Sequence, residues 1–377
     1  MSYPPFFEEY RRGRSEMHAS GEVLSRRRFL MLTAVGLVAT ACQPTPQSQP
    51  SGAGGTSPTT RPPVQAITAD NAKRLKSLAT LNVNGQALGV GWAKSGSILG
   101  IGNTASEIEV WDASTLKQVA VLKGHINQVN RVRWSPDGSM FASASSDGTV
   151  RIWENRQRTT LMTFQGPNSN TSNPALCVAW SPDGKHIVAG YGNGAVEVWD
   201  LETRQGRLLE GQQANDSRTK AVWGIAWSPN GRLIVSPRYD GIIHVWNAGS
   251  GKNLTILQSD DLPNDVEWSP DGQILASSSD KGTVQLWESR TFKNILTLQG
   301  REDVGWVYPV SWSPDGSLLV GGSEWGVLQV WEASSGQELM ALQGHAFNVW
   351  DTAWSPDDLL IASASKDGNV RLWGVSV

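Results

Sequence analysis

Residues 134–153 run WSPDGSMFASASSDGTVRIW. In Ser135-Pro136-Asp137-Gly138, proline presets φ, aspartate can bond the local backbone and glycine accepts a positive φ, so the tetrapeptide makes a tight reversal between two strands. Asp147-Gly148 is a second reversal of the type I′ hairpin kind. The alternation of Thr149-Val150-Arg151-Ile152-Trp153 then suits a strand with one packed and one wetter face. Two turns thus separate three short strands, a, b and c.

This unit recurs seven times. One Trp series stands just before the first reversal, at Trp92, Trp134, Trp180, Trp227, Trp268, Trp312 and Trp354. The other closes strand c, at Trp111, Trp153, Trp199, Trp246, Trp287, Trp331 and Trp373. Both advance in steps of 41 to 47 residues, the period of a four-stranded propeller blade. Near copies of the first turn occur at Ser228-Pro229-Asn230-Gly231 and Ser313-Pro314-Asp315-Gly316, and of the second at Asn193-Gly194, Asp240-Gly241 and Asp367-Gly368. A content of 18 Trp against 5 Tyr and 7 Phe likewise asks for a recurring structural slot.

A fourth strand, d, is expected after each second-series Trp, at 116–122, 160–164, 254–257, 295–298 and 339–342. Only four residues follow Trp373, so the last unit is expected to borrow its fourth strand from residues 75–81. Such a closure removes the exposed edge that invites aggregation. The expected fold is all-β: a seven-bladed β-propeller of four-stranded antiparallel blades over residues 70–377.

Over that span the chain resembles the WD-repeat family. The resemblance implies a hydrogen-bonded tetrad of His, Ser or Thr, Asp and Trp in blades that keep all four. Blade 2 supplies His125, Ser143 or Ser145, Asp147 and Trp153; blade 7 supplies His345, Ser363 or Ser365, Asp367 and Trp373. Elsewhere the Asp position holds Ala105, Asn193, Lys281 and Trp325, and the blade that keeps Asp240 has Arg218 in place of His. Those blades are expected to lean on tryptophan and aliphatic packing.

The resemblance also places the residue four before each strand-a Trp at the top mouth of the central channel: Leu88, Asn130, Leu176, Trp223, Asn264, Tyr308 and Trp350. Trp306 lies two places before Tyr308, and Tyr239, Asp280 and Glu324 precede the turn between strands b and c. Aromatic anchors with a polar or acidic surround are the composition of a recognition hot spot. The expected partner site is therefore Asn130, Trp223, Asn264, Trp306, Tyr308, Trp350, Tyr239, Asp280 and Glu324, taking an extended peptide or a loop. The competing reading is that the tryptophans plug the channel.

At the other end of the chain, Ser25-Arg26-Arg27-Arg28-Phe29-Leu30 precedes an apolar run of 13 residues, Phe29 to Ala41. That is short for a bilayer span and typical of a signal h-region. The hexapeptide resembles a bacterial twin-arginine export signal, and Ala39-Thr40-Ala41-Cys42 resembles a lipobox in which Cys42 is acylated, although Ala39 stands where Leu is usual. Residues 1–42 are expected as the signal. Residues 43–69, rich in Pro, Gly, Ser and Thr, are expected as a tether, with an r.m.s. reach of roughly 25 to 30 Å. The chain is then extracytoplasmic and lipid-anchored through Cys42, with ordinary cleavage and a secreted soluble form as the alternative.

A net charge of −3 with no basic stripe offers nothing to nucleic acid. Five scattered His suggest no metal site, and Cys42 and Cys177 give no disulfide framework; Cys177 suits a small buried hydrophobe. The Ser-His-Asp sets fall on tetrad positions, so no catalytic constellation and no cofactor are expected. The expected function is an envelope-anchored, monomeric, non-catalytic scaffold that binds a peptide or protein partner. A propeller hydrolase, a quinone-dependent dehydrogenase and a sensor of a small molecule or glycan are the alternatives.

Overall fold

A computed structural model describes residues 60–167, 173–210, 221–301 and 304–377. The signal, Cys42, most of the tether and Arg218 lie outside the described residues.

The repeated turns form as their chemistry dictates. In blade 2 the Ser135 hydroxyl donates to Asp137 Oδ1 at 2.6 Å and accepts the Met140 N–H at 3.0 Å, while Gly138 takes φ +77°. The same Ser to Asp or Asn bond, 2.5 to 2.8 Å, closes this turn in blades 3 to 7. Those bonds hold the Asp137 carboxyl down at about 2. The aspartates of this motif are turn-formers.

Seven antiparallel sheets result. The innermost strands a are Ala87–Trp92, Val129–Trp134, Ala175–Trp180, Ala226–Trp227, Pro263–Trp268, Val307–Trp312 and Val349–Trp354. Blade 3 also has a short strand d, Gly206–Leu208, that its sequence did not announce. Seven apolar clusters fill the seven seams between neighbouring blades: Phe141 and Trp153 pack with Val110 between blades 1 and 2, and Trp331 packs with Val284 between blades 5 and 6. Fully burying one such large side chain stabilises the fold by about 1.5–3 kcal/mol. A lone blade would leave that face wet, so the ring folds as a unit.

The first-series tryptophans lace the blades together. Trp134 Nε1 donates to Gly91 O, Trp180 to Arg133 O, Trp312 to Glu267 O, Trp354 to Ser311 O and Trp92 to Ala353 O, at 2.9 to 3.2 Å. Each acceptor precedes the equivalent Trp of the previous blade. Blade 4 breaks the pattern. Trp227 turns to Gly231 O in its own turn, and Trp268 Nε1 is buried with no acceptor among the described residues.

The ring closes as the repeat count demands. Blade 7 joins Val349–Trp354, Ile361–Ser365 and Asn369–Ser376 to Lys76–Asn82, with Ser77 opposite Trp373 and Leu81 opposite Val370. Leu78 falls on a bulge between Ser77 and Ala79. Bulges at the same place put Val119, Leu161, Leu254, Ile295 and Leu339 out of register in blades 1, 2, 4, 5 and 6. Residues 76–82 are therefore a genuine strand d. Pairing also starts earlier than the tether boundary at residue 70 implies: Val64 and Gln65 pair with Ser376 and Val375, and Ile67 is 1% exposed. Two isolated apolar residues in a polar run are enough to dock it.

Candidate functional site

Strand a runs from the top mouth of the channel to the bottom, so its side chains sort by level. At the top, Tyr308 contacts Trp350 (ring centroids 5.1 Å) and Trp306 (6.1 Å, edge to face). Trp306 and Tyr308 are half-buried, and Trp350 is buried. Beside them Tyr239 donates its hydroxyl proton to Asp280 Oδ2 at 2.8 Å, and Asn264 Nδ2 donates to Asp280 Oδ1 at 3.0 Å and to Val307 O at 2.9 Å. Burial and the adjacent Asp280 carboxylate push the Tyr239 phenol well above its ordinary value. These three buried residues bind blades 4, 5 and 6 together beneath the rim.

The remaining candidates are dispersed. Asn130 Nδ2 donates to Ala175 O at 2.7 Å and to Ser146 Oγ at 3.0 Å, which ties blade 2 to blade 3. Trp223 is half-buried on blade 4, and Glu324 is buried against Gly305 on blade 6. Sequence reasoning missed an outer aromatic pair. Trp325 and Phe347 are 50% and 44% exposed, on segments stitched by His345 N–H to Gly326 O at 3.3 Å and Gln343 Nε2 to Trp325 O at 3.3 Å. Trp325 was visible as a fourth Trp outside both series.

Lower in the channel lies a buried charge network that sequence reasoning also missed. Arg131 Nη1 lies 2.6 Å from Asp351 Oδ1 and its Nη2 lies 3.6 Å from Asp265 Oδ2, while Arg133 holds both Asp351 oxygens at 2.8 and 3.1 Å. The two arginines hold the Asp351 carboxyl below its ordinary value against the opposing effect of burial. The signal was present: Arg131-Val132-Arg133, Asp265-Val266-Glu267 and Asp351 place charges one and three residues before the strand-a Trp, where blades 1, 3, 4 and 6 carry only small uncharged residues. Below this network the channel opens into a bottom cavity of about 530 Å³, ringed by all seven first-series tryptophans. Cys177, buried in the apolar seam between blades 3 and 4, donates its thiol proton to Val222 O at 3.3 Å, and burial pushes it up to about 12. A thiol so held is inert as a nucleophile.

Both complete tetrads form, and each uses the first serine of its pair. In blade 2 Trp153 Nε1 donates to Ser143 Oγ (2.8 Å), Ser143 lies 2.7 Å from His125 Nε2, and His125 Nδ1 lies 2.8 Å from Asp147 Oδ2. Blade 7 repeats this with Trp373, Ser363, His345 and Asp367 at 2.8, 2.7 and 2.9 Å. Ser145 and Ser365 instead donate to Asn127 O and Phe347 O. Ser143 and Ser363 are fully buried, so no substrate reaches either hydroxyl. Not every other blade relies on packing alone. Glu109 gathers Trp111 Nε1, Asn103 Nδ2, Gln118 Nε2 and the Asn84 N–H in blade 1, and Trp287 Nε1 donates to Ser277 Oγ in blade 5.

The family profile described as WD domain, G-beta repeat matches residues 251–288, 292–332 and 336–374, and the profile described as WDR90, 4th beta-propeller matches residues 128–261. This chain carries WD40 repeats. Each of the three WD40 matches begins at strand d of one blade and ends at strand c of the next. That offset is why the N-terminal strand must complete blade 7.

Among curated relatives, the chain is similar to guanine nucleotide-binding protein subunit beta-5b of Danio rerio, 46% identical over 67 residues, covering 18% of this chain and 17% of the relative. The WD repeat-containing protein 26 homolog of Arabidopsis thaliana is 43% identical over 74 residues, 18% of this chain and 13% of that protein. The serine-threonine kinase receptor-associated protein of Dictyostelium discoideum is 51% identical over 47 residues, 12% and 16% respectively. The matches thus span less than a fifth of each of these relatives. WD-repeat propellers generally bind proteins or peptides, and these likenesses suggest an interaction scaffold.

Proposed function

We propose that this WD-repeat propeller is an envelope-anchored, non-catalytic scaffold that binds an extended peptide or loop of a protein partner on the blade 4 to blade 7 half of its top face. The observation that carries the reading is the ring-contact cluster of Trp306, Tyr308 and Trp350 at the channel mouth. Rigid aromatic surface loses little side-chain freedom on binding, and an indole face also accepts a cationic side chain. Exposed Trp325 and Phe347 extend that surface outward. Asp280 and Glu324 lie within the same sector, and the buried Tyr239, Asn264 and Asp280 bonds make its floor stiff. The basic hexapeptide 25–30, the apolar run after it and Cys42 support export and lipidation.

The test replaces the accessible anchors. Trp306→Ala combined with Tyr308→Ala should leave the melting transition nearly unchanged and abolish capture of a protein partner from envelope extracts; retained capture would refute the site. Trp350 is too deeply packed to serve as a clean probe. Radioactive palmitate incorporation that disappears in Cys42→Ala tests the anchor, and lack of label in the unsubstituted chain removes it.

A further inference from the structure

The bottom cavity, about 530 Å³, falls within the size range of small-molecule sites. Five ionisable side chains from strands a meet at its floor and just above it: Arg131 and Arg133 of blade 2, Asp265 and Glu267 of blade 5, and Asp351 of blade 7. Asp351 is held by both arginines, and Arg131 also reaches Asp265. Two cations pair with two carboxylates, which leaves Glu267 as the one carboxyl among these five groups without a cation partner. Glu267 Oε2 accepts the Trp312 N–H at 2.7 Å, whereas Oε1 takes no hydrogen bond and the carboxylate no ion pair among the described residues. The side chain is half-buried on the cavity wall, not sealed in the core.

We propose that this bottom mouth binds an alkylammonium group, its charge against Glu267 Oε1 and its hydrocarbon against the indole and proline collar. The cavity supplies what such a ligand needs: one unpaired acceptor at the floor, reached past Trp268, Trp312, Pro229 and Pro314. Electrostatics favour the same sign of ligand. Burial pushes the Glu267 carboxyl up to about 8, with Asp265 and Asp351 adding to the rise, and the Trp312 N–H and Arg133 opposing it. An arriving ammonium relieves that penalty. Lys94 sits at the exposed lip, and the guanidinium of Arg133 remains committed to Asp351.

Two sources carry this chemistry, a free small amine and a lysine side chain of a peptide. Titration calorimetry on the full chain with 1,4-diaminobutane and with Nα-acetyl-lysine methylamide distinguishes them by which binds more tightly, and butyrate is the anionic control. Glu267→Gln keeps an acceptor for the Trp312 N–H and should weaken amine binding at least tenfold. Because the ammonium pairs with the ionised carboxylate and the free carboxyl is raised, binding at pH 7 to the unsubstituted chain should release protons, read from the dependence of the heat on buffer ionisation. This second readout stands even if the variant does not fold. Absence of amine binding, equal affinity in a folded Glu267→Gln, no proton release, or butyrate binding as tightly as the amines would each overturn the proposal.

Discussion

Arg133 reaches Asp351 across the width of blade 1: Nη1 lies 2.8 Å from Oδ2 and Nη2 lies 3.1 Å from Oδ1, although the residues belong to blades 2 and 7. Blade 1 makes room because its inward strand-a positions are Gly89 and Gly91, where a Cβ would meet the blade 2 backbone at 2.7 and 2.6 Å. The Val90 peptide completes the join, its N–H donating to Asp351 Oδ2 at 2.9 Å and its carbonyl accepting from Arg133 Nη1 at 3.0 Å. Blade 1, which the N-terminal strand precedes, is thus pinned from both sides.

Removing the shared carboxylate should be costly. Asp351→Ala takes the shared carboxylate from buried Arg131 and half-buried Arg133, leaving Arg131 only its 3.6 Å contact to Asp265. Loss of one partner of a buried pair costs about 3–5 kcal/mol, and the lower end is expected here. Equilibrium unfolding in urea should show that drop. The pH sign follows from the depressed Asp351 pKa: its contribution is present above the ordinary aspartate range and is lost as pH falls through and below it.

The tetrads carry a second acid sensitivity. Burial holds the His125 imidazole below its ordinary 6.5, so the folded chain keeps it neutral and stability declines as pH falls below that value. Asp147 and Asp367 are held below 3.8 by their histidines, Asp367 at about 2, so their contribution is lost as pH falls from about 4 towards 2. Asp147→Ala leaves the His125 Nδ1, Ile126 N–H, Thr149 N–H and Thr149 hydroxyl without their acceptor. A loss of about 3 kcal/mol is expected. Calorimetric melting at pH 7 checks it, and an unchanged transition would discount the network.

One turn can be improved. Every other first reversal has Gly at its last position, but blade 7 has Asp358 at φ +58°. Its Oδ1 is buried without a partner, and burial, helped by Asp315 and Asp357, raises its pKa. The Ile67 N–H bonds the Asp358 carbonyl, which glycine retains. Asp358→Gly should therefore stabilise the chain by about 1 kcal/mol from backbone strain alone. The gain should grow as pH rises from 3 to 7, because the carboxyl is most costly when ionised. Melting temperatures at the two pH values measure it.

What the sequence disclosed and what it hid divide by interaction range. The turns and Trp slots are local and repeat seven times, so blade number, strand order and closure were readable, as were the tetrad members up to a choice between two serines. That choice was hidden because Ser143 and Ser145 lie on the same face of one strand and differ in what they meet across it, the His125 and Trp153 side chains for Ser143 and the Asn127 carbonyl for Ser145. The Arg133 to Asp351 contact spans 218 residues and depends on glycines in a third blade. The bottom cavity likewise exists only once seven strands converge. Blade 3 was opaque for another reason: Tyr191 fills its interior while the Tyr191 hydroxyl, Glu197 Oε2 and Trp199 Nε1 stay without partners among the described residues.

The closing strand gives the sharpest test of the ring. Leu81 is 2% exposed and packs with Val370, Leu372 and Val90 between blades 7 and 1, while Leu254, at an exposed bulge on blade 4, is 53% exposed. Both are leucines on a strand d, so a common change separates closure from strand propensity. Leu81→Asp places a charge in a dry seam and should destabilise by at least about 4 kcal/mol, whereas Leu254→Asp should stay within about 0.5 kcal/mol. Once residues 76–82 are displaced, Asn369–Ser376 becomes an unpaired edge, which templates association with other chains. Light scattering after size exclusion should then show large species for Leu81→Asp and a normal particle for Leu254→Asp. A Leu81→Asp chain that melts and elutes like the unsubstituted protein would mean that blade 7 holds without its borrowed strand.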